Sequence, residues 1–496
     1  MQWLWGSKPP HLEPVKGDVV YPTHFMDNKA IFDGLLLASA WQFNDVLDAD
    51  KLHASFCRLL EIGDWRKLGG RFRRPPGQRT WELHVPAEFT PERPAVVYTH
   101  EVFDMKVQEH PLARQIPRPS TGGPAFHPSP EILRPLMVRP GAAETMEEFL
   151  SRDDPALALH IASFQDGTLV SLTWPHSLMD IMGLKSLVEA WSLVLAGREA
   201  DLPVLAGARE DILYESTNVN LAKKETSVID RDRLDGFRII FFALCLLWDI
   251  IWNRVEARIL YLPKKTVENL RSEALLEITA DSKPDAEKPW ISESDALLAT
   301  WAKSLAQSQS SPRPIIAMNP FDMRGRAPGF SNSGQEVYIQ NVVTESFTTL
   351  PPSLASSSIG KIALSCRRAL QEQIAPAQIL ALLRSLRQLW DSGKDVQILS
   401  GPANATLLVT SNWARGNLFR IADFGPAVVK QGEDESERTN PVGASRFYVT
   451  IPLKLSPAAR NSMTQLGKDH DGNTWVMGIF NARTWKAIKT MVDGYS

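Results

Sequence analysis

The chain has 496 residues, with 54 basic against 57 acidic side chains and a formal charge of −3. That balance excludes a general nucleic-acid-binding surface, and 44% hydrophobic with 22% charged residues is the composition of a globular protein with large cores. Three scattered cysteines, Cys57, Cys245 and Cys366, are too few for a disulfide framework or a Cys-based zinc site, so a reducing compartment is expected.

In chain order, "MQWLWGSKPPHLEPVKG" has no basic start, no long apolar core and no small-residue cleavage site, so no secretory signal is read and a cytoplasmic location is expected. Residues 52–61 carry apolar side chains at helical spacing, and 96–107 read as a strand-like run. Seven prolines between Pro117 and Pro140 predict a long surface loop. Residues 156–164 and 168–174 read as two strands joined by a tight turn containing Asp166 and Gly167. A helical stripe follows from Ile181 and stops at Gly197. The apolar run within 238–252 falls far short of the roughly 20 residues a membrane span needs, which leaves a buried or surface-lying helix or peripheral membrane contact. Residues 279–290 read as a solvated linker. Ser292 and Asp295 have capping-box spacing ahead of another helix, Pro376 opens a further one, and 430–443 form a polar loop. Mixed sheets with flanking helices, α/β, fit this alternation.

Against that background "SLTWPHSLMDIMG" places His176 and Asp180 four residues apart, on a short loop between a strand end and a helix start. Pro175 cannot give a ladder N–H, and Asp180 stands where a helix cap is expected. "HEVFD", His100 to Asp104, has the same spacing but lies inside a strand-like run and is set aside. Two readings of His176 stay open on these residues alone, a general base on a loop and a hydrogen-bonded packing histidine. Asp180 is open likewise, as a partner of His176 or as a cap.

The "HSLMD" stretch, together with "SNWARGNLFRIADFG" at 411–425, resembles the BAHD acyltransferases of the chloramphenicol acetyltransferase-like superfamily, which carry H-x-x-x-D and, near the C-terminal end, D-F-G-W-G. Residues 47–72, "ISESDALLATWAKSL" and the segment 318–343 extend the resemblance over nearly the whole chain, and the fungal secondary-metabolite branch matches best. The resemblance implies a two-lobed monomer. Its N-terminal lobe would span 20–205 with a returning segment near 423–450. Its C-terminal lobe would span 226–496, with a crossover near 198–225 and the apolar helix 238–252. It also implies acyl transfer, most simply acetyl transfer, from acyl-CoA to a hydroxyl or an amine of a terpenoid, alkaloid or polyketide-type metabolite. No permanent cofactor and no metal are implied. His176 would be the general base, Asp180 would turn away to an arginine, Arg324 or secondarily Arg326, and Asp423-Phe424-Gly425 would be an architectural corner. Arg415 matches a position near the acceptor pocket.

Two departures stand out. Pro426-Ala427 replaces the family's Trp-Gly, and Pro175 stands where condensation domains have a second histidine, which argues against carrier-bound substrates. An inactive binding protein of the same fold is the other alternative. A serine hydrolase would need G-x-S-x-G, and "GFSNSG" at 329–334 has the wrong spacing.

Overall fold

The computed structural model describes residues 12–75, 77–218, 225–280, 288–330, 334–432 and 438–496. Two large sheets organise them. The first has five strands in the order Phe447–Pro452, Leu36–Phe43, Gly167–Pro175, Ala158–Phe164 and Val97–Val102. The second has seven, in the order Val343–Leu350, Ile315–Asp322, Thr406–Asn412, Ser462–Lys468, Thr474–Phe480, Glu256–Leu262 and Ala125–His127. Both mix parallel and antiparallel pairs, and helices pack on them, so the chain is α/β with mixed sheets.

Local sequence accounts for many of the boundaries. Phe164 pairs with Gly167, so the central hairpin turns on Gln165 and Asp166 alone. Asp48, Asp180 and Ser292 cap the helices Ala49–Leu59, Ile181–Leu195 and Glu293–Ser308, and Pro376 occupies the first turn of Pro376–Asp391. Parallel strands need a long crossover. Between Ile315–Asp322 and Thr406–Asn412 that crossover includes the helices Ile359–Gln373 and Pro376–Asp391.

The two sheets trade strands. Ala125–His127, from the N-terminal half, pairs antiparallel with Glu256–Leu262 at the edge of the second sheet. The stretch 117–140 is therefore not all loop: it holds this strand and a helical turn, Arg134–Met137. Its prolines spare residues 125–127, which leaves three adjacent N–H groups for an edge pairing, the one place in a sheet where neighbouring prolines are tolerated. In the other direction, Phe447–Pro452 pairs with Leu36–Phe43, and Val428–Gln431 pairs with Asp45–Leu47. The crossover and linker segments near 198–225, 279–290 and 430–443, like "GFSNSG", lie partly outside the described residues.

The chain that leads to the strands Val428–Gln431 and Phe447–Pro452 is held at the Asp423-Phe424-Gly425 corner. Phe424 is buried, stacked on Phe43 at 5.3 Å and packed on Trp191 at 4.5 Å, and its N–H donates to the Gly443 carbonyl. Asp423 is exposed, and its Oδ1 accepts from the Gly425 N–H within the turn. Beside it the buried Asp45 carboxylate meets both terminal nitrogens of Arg438 and the Gly443 N–H. Burial alone would raise the Asp45 pKa, but these donors hold it below the usual carboxylate value. Gly443 sits at φ +75°, and a Cβ there would lie 2.2 Å from the Gly425 nitrogen. Gly443→Ala is therefore expected to lower stability by about 2–3 kcal/mol through backbone crowding and left-handed strain, read as a lower midpoint in urea unfolding.

Candidate active site

The first-sheet strand ending at Pro175 delivers the chain to a turn at His176, and the helix Ile181–Leu195 takes it up four residues later. His176 is held from three sides. Its N–H donates to the Leu35 carbonyl at 2.8 Å, its ring stacks on Phe32 at 4.0 Å and 6° between planes, and its carbonyl accepts from Asn341 Nδ2 at 2.8 Å. Asn341 is itself fixed, because both its backbone N–H and its Nδ2 donate to the buried Asp27 Oδ1 at 2.9 Å. Within the ring, Nδ1 is buried and makes no well-formed hydrogen bond, while the residue's own backbone and the Asn341 side chain both interact with the imidazole. Burial lowers the ring's pKa below its ordinary value, so the imidazole is neutral at pH 7.

Asp180 does not reach His176 with a hydrogen bond. Its Oδ1 accepts from the Met182 and Gly183 N–H groups, which caps the helix, and its Oδ2 accepts from the Val342 N–H at 3.0 Å. Arg324 meets the same carboxylate with two nitrogens, at 3.0 and 3.1 Å. The guanidinium also donates to Asp322 Oδ1 and to the Tyr338 and Gln340 carbonyls. Arg326 instead donates to the Asp322 carbonyl. Gly183 lets these parts close, since a Cβ there would lie 2.1 Å from the Ile339 carbonyl oxygen. "HEVFD" is elsewhere: His100 Nε2 bonds Ser163 on the first sheet, and Asp104 accepts from Gln165.

A cavity of about 420 Å³ opens beside this junction. Its wall takes Asp180, Ile181 and Met182 from the N-terminal half, and residues such as Ser292, Asn319, Trp413 and Arg415 from the C-terminal half. His176 does not line it. Along the chain His176 falls between this wall and a small void of about 30 Å³ lined by Leu36, Trp174 and Pro175 among others. Arg415 is exposed, and Arg326 lies close enough that the like charge helps to depress the Arg326 pKa, after burial. Trp290 completes one rim, with the Arg367 guanidinium 4.8 Å from its ring centroid. Among the described residues no group of three His, Cys, Asp or Glu side chains is placed to hold a metal.

Sequence reading had no route to Asn341, Asp27 or Phe32. "YIQNVV" draws attention to the segment but not to the carbonyl that Asn341 grips, because that contact spans 165 positions. Gly183 could have been suspected only as a glycine inside a helix, where it costs about 1 kcal/mol relative to alanine unless packing demands it.

No family model matches the chain. It is 33% identical over 484 residues to O-acetyltransferase PaAT-2 of Phomopsis amygdali, covering 95% of this chain and 97% of that protein. It is 34% identical over 483 residues to acetyltransferase pyiB of Pyricularia grisea, covering 96% and 94%. Among solved structures it resembles F. graminearum TRI101 complexed with coenzyme A and T-2 mycotoxin, with a TM-score of 0.66 at 16% identity, covering 95% and 97%. Mixed sheets that exchange strands are thus the fold of a CoA-dependent acyltransferase. The chain belongs to the BAHD-type acyltransferase family, in its fungal secondary-metabolite branch, and is an O-acyltransferase with acyl-CoA as co-substrate.

The Asp180–Arg324 contact yields a direct expectation. Asp180→Asn or Arg324→Ala removes one side of a largely buried ion pair and is expected to cost about 3–5 kcal/mol, seen as an earlier denaturant midpoint and reduced soluble yield. An Asp180→Asn protein of unchanged stability that has lost turnover would instead mark the carboxylate as a chemical participant.

Proposed function

We propose that this enzyme acetylates a hydroxyl group of an apolar secondary metabolite, of the terpenoid, alkaloid or polyketide kind, with His176 as the general base. The single observation that carries this reading is how His176 is held at the strand end: its ring lies flat on Phe32, its peptide group is fixed by Leu35 and Asn341, and burial favours the neutral imidazole. A proton held on Nδ1 leaves the Nε2 lone pair free. Nε2 takes the acceptor's hydroxyl proton as the oxygen attacks the thioester carbonyl, then returns it to the CoA sulfur as the C–S bond breaks. The donor is already activated, so the enzyme's task is positioning and proton transfer. Asp180 is assigned to architecture, since its acceptor sites are filled by backbone N–H groups and Arg324. Acetyl is favoured as the acyl group by the names of the relatives, O-acetyltransferase PaAT-2 and acetyltransferase pyiB.

The two sheets are taken as the centres of two lobes, residues 20–205 with the segment near 423–450, and residues 226–496. The cavity between Met182 and Trp413 is taken as part of the channel in which the two substrates meet, and the enzyme as a monomer. Arg415, on the cavity wall near Arg326, is assigned to the acceptor's polar end. Asp423, Phe424 and Gly425 are assigned to the corner that fixes the returning segment, not to chemistry.

Free-thiol release from acetyl-CoA over a panel of hydroxylated metabolites tests the reading. His176→Ala should lower kcat by about 10² to 10⁴ with CoA binding retained. No acceptor-dependent thiol release from any member of the panel, with CoA bound normally, would turn the reading to a binding protein. The acid limb of kcat/KM reports protonation of the free base, and burial lowers that pKa. The limb should therefore fall below the ordinary histidine value of about 6.5, with activity kept above it. Arg415→Ala should raise the acceptor's KM about tenfold and change kcat less, the loss expected for one hydrogen bond to a charged group.

A further inference from the structure

The helix Gly236–Trp252 is inside out. Its two charged side chains face the protein. Arg238 donates to the Arg233 and Gly401 carbonyls at 3.0 and 2.9 Å, and Asp249 pairs with Arg313 at 3.0 and 3.2 Å. Its exposed positions from Phe237 to Trp252 are apolar apart from the glycine that precedes them. Phe237 is 82% exposed, Trp252 66%, Ile240 62%, and Trp248 and Ile251 61% each. The large exposed side chains, these with Phe241, Leu244 and Leu247, recur every three or four residues and cover an arc of roughly 140° at 100° per residue. Scattered single apolar side chains on a surface are ordinary, but a contiguous ridge of this kind marks an interaction site.

Beneath the C-terminal end of the helix lies a cavity of about 260 Å³ whose wall includes Trp248, Asp249, Arg313, Arg460 and Arg483. Arg460 is 5% exposed, and its Nε is buried with no hydrogen-bond partner, while its Nη2 donates to the Asn253 carbonyl. Asp249 balances only one of the three guanidinium groups, so the cavity is net positive. It shares no lining residue with the large cavity beside Asp180. The helix Glu293–Ser308 runs past both, with Ser292 to Trp301 contributing to the wall of the large cavity and Leu305 and Ser308 to the wall of this one.

We infer that Gly236–Trp252 seats the enzyme on a bilayer surface that contains anionic phospholipid, its apolar arc at the level of the acyl chains and a lipid phosphate in the Arg313–Arg460–Arg483 cavity. Three observations select that occupant. The ridge is convex, so a facing helix of a second copy would cover only a narrow seam of the arc, whereas acyl chains close around all of it. Trp248 and Trp252, with ring centroids 5.6 Å apart, lie at the end nearest the arginines, and tryptophan favours the boundary between headgroups and chains. Finally, the positive cavity continues directly from the apolar ridge through Trp248, the order of charge and hydrocarbon that a phospholipid presents. The helix lies on the surface and does not cross it: no described helix is long and apolar enough to span a membrane.

The test is flotation of the full chain with phosphatidylcholine vesicles, with and without phosphatidylglycerol, while its state in solution is followed by light scattering. The full chain is expected to float with the phosphatidylglycerol vesicles and less with phosphatidylcholine alone, with a blue shift of tryptophan fluorescence. The variant Phe241→Ser/Leu244→Ser/Trp252→Ser should partition at least about tenfold less, with unchanged circular dichroism and unchanged thiol release in solution. Arg483→Glu should leave binding to phosphatidylcholine unaltered and lower partitioning onto phosphatidylglycerol vesicles about fivefold or more. Failure to float with either vesicle overturns the inference, as does flotation that the triple variant retains. A solution dimer that the triple variant converts to monomer would reassign the ridge to a second copy of the chain.

Discussion

One carboxylate carries the architecture of this enzyme's centre. Asp180 caps a helix of the N-terminal half with Oδ1, receives an N–H from Val342 with Oδ2, and meets a bidentate guanidinium from Arg324 with both. An ionised group this little exposed is tolerated only when every acceptor direction is filled and an opposite charge is in contact. The consequence is mutual dependence. Without Arg324 the helix start carries an uncompensated charge, and without Asp180 both Arg324 and the Val342 N–H lose their acceptor. The loop that holds His176 is positioned by the same closure, because Asn341, one residue before Val342, grips the His176 carbonyl.

In this arrangement the work of holding falls to Asp180. The aspartate's lone pairs are occupied by structure, and the plane of the imidazole is set by the stacked Phe32. The neighbouring cavity draws its wall from both halves of the chain. The strand exchange ties the halves together: the second sheet borrows Ala125–His127 and the first borrows Phe447–Pro452. The apolar helix at 236–252 stands outside this scheme, tethered by its charges, and its surface answers to a different environment.

Much of the local structure was legible. Capping residues, the two-residue hairpin turn, the helix-opening proline and the stop at Gly197, which sits at φ +72°, are decided by steric and hydrogen-bonding preferences within a few residues. The placement of His176 between a strand end and a helix start belongs to the same class. The proline-rich stretch shows the limit. Its composition rules out long elements, yet whether three spared residues join a sheet depends on an edge strand more than 100 positions away.

The sequence by itself determined the mixed α/β alternation, the family, and the loop that carries the imidazole, because each is written in short-range periodicity or in contiguous motifs. Only the tertiary structure decided that Asp180 faces Arg324, that Asn341 and Asp27 support His176, and that the helix at 236–252 turns its charges inward. Those are pairings across a buried junction. Which partners meet there is chosen by the packing of distant segments and by the free energy of leaving a charge or a peptide group unsatisfied, and neither quantity exists until the chain has closed.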